Sequence, residues 1–153
     1  MTDSLQNLTY AAFLALYEPL AAGLTDPVFH EDAVTERLWR IAVRLGENAK
    51  RFNLTAITEP YAVAEKHIVD SLLPLAILQK RGVLDGLMHY GGEPVTLCDI
   101  GAGAGFPSLP MAAVLAQSGG RVLAVDATAK KVRYIAETAA ALGLSGMTAQ
   151  SGR

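Results

Sequence analysis

The sequence has one cysteine, Cys98, so an internal disulfide bond is excluded. Cys98 lies within an apolar stretch, and we expect a small buried residue there and not a nucleophile. No stretch reaches the roughly 18 uninterrupted apolar residues of a membrane span, and no charged segment precedes an apolar run at residues 1–4. These absences disfavour a membrane or exported protein, and a cytoplasmic location is expected.

Charge is scarce and nearly balanced. Charged residues make up 18% of the 153 residues, and the net charge is −2 at pH 7. Overall composition therefore does not favour nucleic-acid binding, and any such contact must come from a local patch. Hydrophobic residues make up 51%, which excludes a disordered chain and provides for a globular core.

The first half of the sequence has helical periodicity. It predicts a helix over 5–22 that stops at Gly23, and a second helix from Thr35, as its cap, to Gly46. After a polar connector, Pro60 fits the first turn of a third helix. Pro74 should kink that helix or mark a restart.

The second half alternates strands and helices. Strands are expected at 95–100, 121–126 and 147–150, with a helix over 129–142 between the last two. This order predicts an α/β fold, a Rossmann-like core over 93–153, preceded by a helical extension over 1–92. The join is a loose segment interrupted by Gly82, Gly86, Gly91, Gly92 and Pro94. The core would end after its third strand, whereas such sheets usually continue, so it is expected to be truncated.

A glycine-rich turn follows the first of these strands. Its spacing, Gly101, Gly103 and Gly105, departs from the dinucleotide pattern, which would place its third glycine at Phe106. Asp126 ends the next strand, where a carboxylate can bind ribose hydroxyls. The pattern favours a nucleoside ligand such as S-adenosyl-L-methionine, and the alternative is a purely structural turn.

Three polar residues share one face of the third helix. His67, Asp70 and Ser71 follow i, i+3, i+4 spacing. They border a substrate pocket in one interpretation; in the other they fix the helix against the connector Asn53–Thr55. No second histidine or cysteine lies at ligand spacing from His67, so no metal is expected.

Basic residues form two local groups. The first lies on one face of the second helix and continues just after it, and the second begins the helix after Asp126, an unfavourable end for cations. Either group could contact RNA phosphates, or the first could be a solvated face, since Glu36 and Glu47 lie nearby. The residues are Arg37, Arg40, Arg44, Lys50 and Arg51, and then Lys130, Lys131 and Arg133.

Four blocks occur together: Arg51–Thr55 (R-F-N-L-T), Lys66–Leu72 (K-H-I-V-D-S-L), Asp99–Pro107 (D-I-G-A-G-A-G-F-P), and Asp126 with Lys130–Ile135. From about residue 8 onward, the chain resembles the bacterial small-subunit ribosomal RNA guanine-N7 methyltransferases, also called the glucose-inhibited division protein B family. The resemblance implies a methyltransferase that uses S-adenosyl-L-methionine on N7 of a guanine in 16S ribosomal RNA. Its partner would be that RNA or the small ribosomal subunit. The implied donor residues are Gly101, Gly103, Gly105, Phe106 and Asp126, and the implied substrate-pocket residues are Asn53, His67, Asp70 and Ser71.

Guanine N7 carries a lone pair and no proton, so no catalytic base is required. The family usually continues past Gly152–Arg153 with acidic residues that meet the adenine, and it commonly has glycine where Ser108 stands. An inactive product of truncation is therefore one alternative: a non-catalytic fragment that binds the donor or RNA. A methyltransferase acting on a small molecule is another.

Overall fold

The computed structural model describes residues 4–84, 89–90 and 92–152. Within these ranges, none of the helices has both the length and the apolar character needed to cross a bilayer. The α-helices are α1 (Tyr10–Leu20), α2 (Asp32–Phe52), α3 (Pro60–Val63), α4 (Asp70–Lys80), α5 (Ser108–Leu115) and α6 (Ala129–Ala141). Single 3-10 turns occupy Leu5–Asn7, Ala21–Gly23, Pro27–His30 and Ala116–Ser118.

Helix α2 is longer than its sequence pattern predicts. It begins at Asp32, because Glu31 is the N-cap and Thr35 lies inside the first turns, where its hydroxyl donates to the Glu31 carbonyl oxygen at 3.2 Å. It also runs through Gly46, where a side chain has no room: a Cβ there would lie 2.7 Å from the backbone nitrogen of Gln6. The predicted cap at Thr35 and the predicted end at Gly46 are both wrong.

Helices α3 and α4 form one continuous rod with a wide turn inside it. Pro60 occupies the first turn as expected, and the Glu59 carboxylate caps that turn. The segment Ala64–Val69 is a π-helical turn that leads directly into α4. Helix α4 then continues through Pro74, so of the two predicted alternatives the restart is wrong and the kink stays a prediction.

The α/β part contains a three-stranded parallel sheet. Its strands are β3 (Thr96–Ile100), β4 (Arg121–Asp126) and β5 (Met147–Ser151), in the order β3-β4-β5. Before them, β1 (His89–Tyr90) pairs with β2 (Glu93–Pro94) in an antiparallel ladder. The Rossmann-like fold class is confirmed. Gly86 and Gly91, from the predicted join, lie outside the described residues.

Buried side chains from both halves form one hydrophobic cluster. Phe13 and Leu38 from the helices and Val122 and Ile135 from the α/β part all belong to it. The predicted domain boundary between residues 92 and 93 stays a prediction.

Cys98 is exposed, contrary to the expectation of burial. It lies on β3, which pairs with β4 on one side and forms an edge of the described sheet. Ile100, two residues further along on the same face of β3, is 84% exposed, so this face of the strand is uncovered among the described residues. An apolar run alone could not show that one face of its strand is uncovered.

Candidate donor turn and facing helix

The glycine turn joins β3 to α5 at the carboxyl end of the sheet, where ligands of parallel α/β folds bind. Gly101, Gly103 and Gly105 have φ values of 82°, 57° and 88°, a region that side chains disfavour. The N–H groups of Gly101 and Ala102 donate to the carbonyl oxygen of Val125, at 2.8 and 3.0 Å. The turn is thereby anchored to the neighbouring strand β4.

Asp126 fixes the same turn from the end of β4. One carboxylate oxygen accepts from the Gly103 N–H at 2.9 Å, and the other accepts from the Thr128 N–H at 2.8 Å. The Thr128 bond is the largest influence and, with the Gly103 bond, holds the pKa of Asp126 below its ordinary 3.8 despite an opposing effect of burial. Asp126 is therefore ionised at neutral pH, and each oxygen keeps a spare lone pair.

The glycines of the turn meet different surroundings. A Cβ added at Gly101 would have no heavy atom within 4 Å, and one at Gly103 would meet only a backbone oxygen at 3.9 Å. A Cβ at Gly105 would overlap the side chain of Leu109. Gly101 and Gly103 thus leave open space beside the main chain, whereas Gly105 allows α5 to pack against the turn.

One open cavity of about 410 Å³ joins the turn to the helical half of the chain. Gly101, Gly103 and Phe106 line it from one side. The connector after α2 and the rod α3–α4 line it from the other, with Leu54, Thr55, Lys66, His67, Asp70 and Ser71. The structure therefore brings together two groups of predicted site residues that are more than 25 positions apart.

His67 is held by two contacts in this cavity. Its ring stacks on Phe106 with centroids 4.7 Å apart and planes 15° apart. Its Nε2 lies 3.1 Å from Oγ1 of Thr55. Burial lowers the pKa of His67 below 6.5, although the Lys66 carbonyl and the Asp70 charge oppose that effect.

The other predicted pocket residues differ in what they do. Asp70 is exposed at the cavity, whereas Ser71 is buried and its hydroxyl donates to the backbone carbonyl of His67. Asn53 ends α2 in the left-handed conformation, with φ of 51°, and does not line the cavity. Thr55 was not among the predicted pocket residues, but its contact with His67 supports the alternative interpretation, in which the polar residues fix the helix against the connector Asn53–Thr55.

Ser108 is the first residue of α5 and lies outside this cavity. It is fully buried, and its hydroxyl has no hydrogen-bond partner among the described residues. With Asp99 it lines a smaller cavity of about 220 Å³ between β3 and α4. The serine therefore does not narrow the space beside Gly101 and Gly103.

The basic residues are partly engaged within the chain. Arg40 donates to the Ala141 carbonyl at 2.8 Å, and Arg44 donates to the Thr138 hydroxyl at 3.2 Å, so α2 is tied to α6. The guanidinium carbons of Arg51 and Arg133 lie 4.9 and 5.8 Å from the centroid of the same ring, Phe52. The structure thus brings these two arginines, one from each predicted basic group, to one place. Arg37 and Lys131 are half-buried, and Lys50 and Lys130 are exposed.

In the ranges that the structure describes, no three histidine, cysteine, aspartate or glutamate side chains cluster as a metal site requires. A parallel βαβ unit with an open glycine turn and an acid at the end of the second strand is a nucleoside-binding arrangement. These features define a Rossmann-like domain with an open cavity at the carboxyl end of its sheet.

Comparison with known proteins identifies the family. Residues 35–153 match the profile of rRNA small subunit methyltransferase G. The protein of that name from Deinococcus radiodurans is 41% identical over 118 residues, covering 77% of this chain and 42% of the relative. Its counterpart from Anaeromyxobacter sp. strain Fw109-5 is 41% identical over 133 residues, covering 87% and 54%, and that from Solibacter usitatus is 36% identical over 136 residues, covering 89% and 58%. The chain belongs to this methyltransferase family, and it spans about half the length of these curated relatives.

Proposed function

We propose that the chain binds S-adenosyl-L-methionine at the glycine turn and takes part in methylation of a guanine N7 in 16S ribosomal RNA. The observation that carries the proposal is the shared cavity, because one space is lined by the donor-type turn and by His67, Asp70 and Ser71. Methyl transfer needs donor and acceptor in one place, and this cavity provides a place for both.

The residues present fit the donor. The missing side chains at Gly101 and Gly103 leave main chain open to a ligand, and Phe106 supplies an apolar wall. Asp126, ionised and with spare lone pairs, can accept from both hydroxyls of a ribose. Gly105 contributes indirectly, by letting α5 pack against the turn. When bound, the sulfonium of this donor supplies an electrophilic methyl group.

The residues beside the guanine would act by orienting its N7 toward the methyl group of the donor. Guanine N7 has a lone pair and no proton, so no side chain has to remove one. Correct orientation alone can supply up to about 7–11 kcal/mol of a reaction barrier. His67, Asp70 and Ser71, with Asn53 nearby in the sequence, are proposed to border the guanine, which must be unstacked to reach them.

The basic residues are proposed to hold the RNA backbone. Arg51 and Arg133 flank Phe52 from two different helices, so together they can contact phosphates of one strand. The proposed RNA surface comprises these two residues with Arg37, Arg40, Arg44, Lys130 and Lys131. The bonds of Arg40 and Arg44 to α6 use only part of their five donors each.

Methyl transfer to undermodified small ribosomal subunits tests the proposal. The chain and a methyl-labelled donor should place label on RNA, and cleavage at 7-methylguanine should map it to one guanine. Heat-denatured chain is the control. Donor binding without transfer would support a non-catalytic fragment, and label only on small molecules would contradict an RNA substrate.

A further inference from the structure

We propose that Thr55 is a positioning residue for His67: its hydroxyl donates to Nε2, which fixes the ring proton on Nδ1 and holds the imidazole against Phe106 as an uncharged wall of the cavity. This inference rests on the proposed donor site. Thr55 lies in the connector between α2 and α3 and contacts His67 in the open cavity that the glycine turn also lines.

The hydrogen bonds of Thr55 set the direction of the contact. Its Oγ1 accepts from the Ile57 N–H at 3.0 Å and lies 3.1 Å from His67 Nε2. A hydroxyl has one proton to donate. If Nε2 carries no proton, the Thr55 hydroxyl donates its proton to Nε2. If Nε2 carried a proton, the Thr55 hydroxyl proton would have no acceptor among the described contacts.

The Lys66 carbonyl also favours a ring in which the Thr55 hydroxyl donates to Nε2. The Lys66 carbonyl favours a proton on the imidazole, and a carbonyl can only accept. Since Nε2 faces Thr55, the ring proton belongs on Nδ1. The ring then acts through its faces and not as an acid or base.

The surroundings keep this ring neutral at pH 7. Neither the connector 54–58 nor the turn 101–107 contains an ionisable side chain. Two charged side chains of its own helix, Lys66 and Asp70, line the same cavity. The Asp70 charge favours a protonated ring, but burial has the larger effect and lowers the pKa of His67. A neutral ring is suited to this cavity, because an imidazolium would repel the positively charged sulfonium of the donor.

Long-range proton–nitrogen NMR of the ¹⁵N-labelled chain tests the positioning directly, because it reports which ring nitrogen carries the proton. Wild type should show the Nδ1–H form of His67, Thr55→Val should shift it toward Nε2–H, and Thr55→Ser should restore it. Thr58→Val, a change at an exposed threonine in the same connector, is the matched control. An Nε2–H ring in wild type, or an unchanged ring in Thr55→Val, would overturn the proposal.

Calorimetry with two ligands tests the role of the neutral ring. S-adenosylmethionine carries the sulfonium charge, and S-adenosylhomocysteine does not. As the pH falls below 6.5 and the same NMR signals show His67 becoming protonated, affinity for the first should drop relative to the second, by up to about threefold, the effect of two like charges several ångströms apart in a water-like medium. Parallel affinities over the pH range in which His67 becomes protonated would refute the charge role. If neither ligand binds at pH 7.5, the donor site itself is wrong, while the NMR result still decides the role of Thr55.

Discussion

Gly105 shows why a glycine pattern has to be interpreted residue by residue. The motif Gly101, Gly103 and Gly105 predicted a ligand turn, but its third glycine faces Leu109 and Ile135 of the chain itself. Sequence spacing located the turn, because a turn is a local structure. It could not show that α5 and α6 press against one of its glycines.

Gly105→Ala is expected to destabilise the fold. The new Cβ would overlap Leu109 and would have to adopt a φ of 88°, and overpacking of this kind costs about 1–3 kcal/mol. Chemical denaturation followed by circular dichroism measures the change. Gly23→Ala, where a Cβ meets nothing within 4 Å, should alter the free energy of unfolding by less than about 0.5 kcal/mol. Equal effects of the two substitutions would refute the packing role.

Asp126→Asn should weaken donor binding. The amide keeps the size of the side chain but removes the charge and one acceptor, and a hydrogen bond to a charged group contributes about 1.5–3 kcal/mol. We expect affinity for S-adenosylmethionine to fall by about tenfold or more, measured by calorimetry. Asp32→Asn, at an exposed position in the first turn of α2, is the control. Unchanged affinity in Asp126→Asn would remove the ribose role.

His30 makes the free energy of unfolding depend on pH, and its contribution can be separated from that of His67. Burial lowers its pKa, but bonds to the Leu24 carbonyl and the Glu18 carboxylate, each at 2.8 Å, outweigh this and raise it above 6.5. The stabilisation is therefore fully present below pH 6.5 and is lost as the pH rises through the folded-state pKa. His67, with its lowered pKa, has the opposite effect: its neutral form favours folding, and stability is lost as the pH falls below 6.5.

Glu18→Gln separates the two histidines, because His67 is common to both proteins. Wild type should be more stable than the variant at pH 6, by up to about 1 kcal/mol for a pair this exposed. The difference should shrink toward pH 9. Urea denaturation at both pH values measures it, and a difference that grows with pH would contradict the assignment.

At the scale of elements, α2 is the helix of the first half of the chain that packs against α6 of the second half. Its apolar stripe was predicted from periodicity, and Leu38, Ile41 and Leu45 are buried as expected. Its partner was not predicted, since Arg40 and Arg44 meet residues of α6 that lie 101 and 94 positions away. Local periodicity reports which face is apolar, but not which element covers it.

Arg44→Ala should weaken the packing of α2 against α6. It removes the bond to Thr138, a buried hydroxyl on α6, at a cost of about 1 kcal/mol. Hydrogen exchange should show faster opening of α6, with α1 unaffected. Arg51→Ala, at an exposed residue, should leave α6 protection nearly unchanged. Equal protection in the two variants would refute the role of Arg44 in docking α2 to α6.

At the scale of the whole molecule, the order of strands and helices could be predicted, because hydrophobic runs and glycines mark each element. Strand β4 begins and ends where expected, and α6 ends one residue earlier. The contact of the His67 helix with the connector Asn53–Thr55 was one of two predicted alternatives, whereas the stacking of His67 on Phe106 could not be predicted, because those two residues lie on segments that are distant in the sequence. Candidate site residues that share one turn or helix could therefore be predicted more readily than contacts between separate elements.

A structure of the chain bound to S-adenosylmethionine is the most direct test of the central claim. The ribose hydroxyls are predicted to lie within hydrogen-bond distance of both Asp126 oxygens, with the ligand against Gly101 and Gly103 and its methyl directed into the cavity beside His67. A ligand bound at another surface, with Asp126 still bonded only to Gly103 and Thr128, would contradict the account.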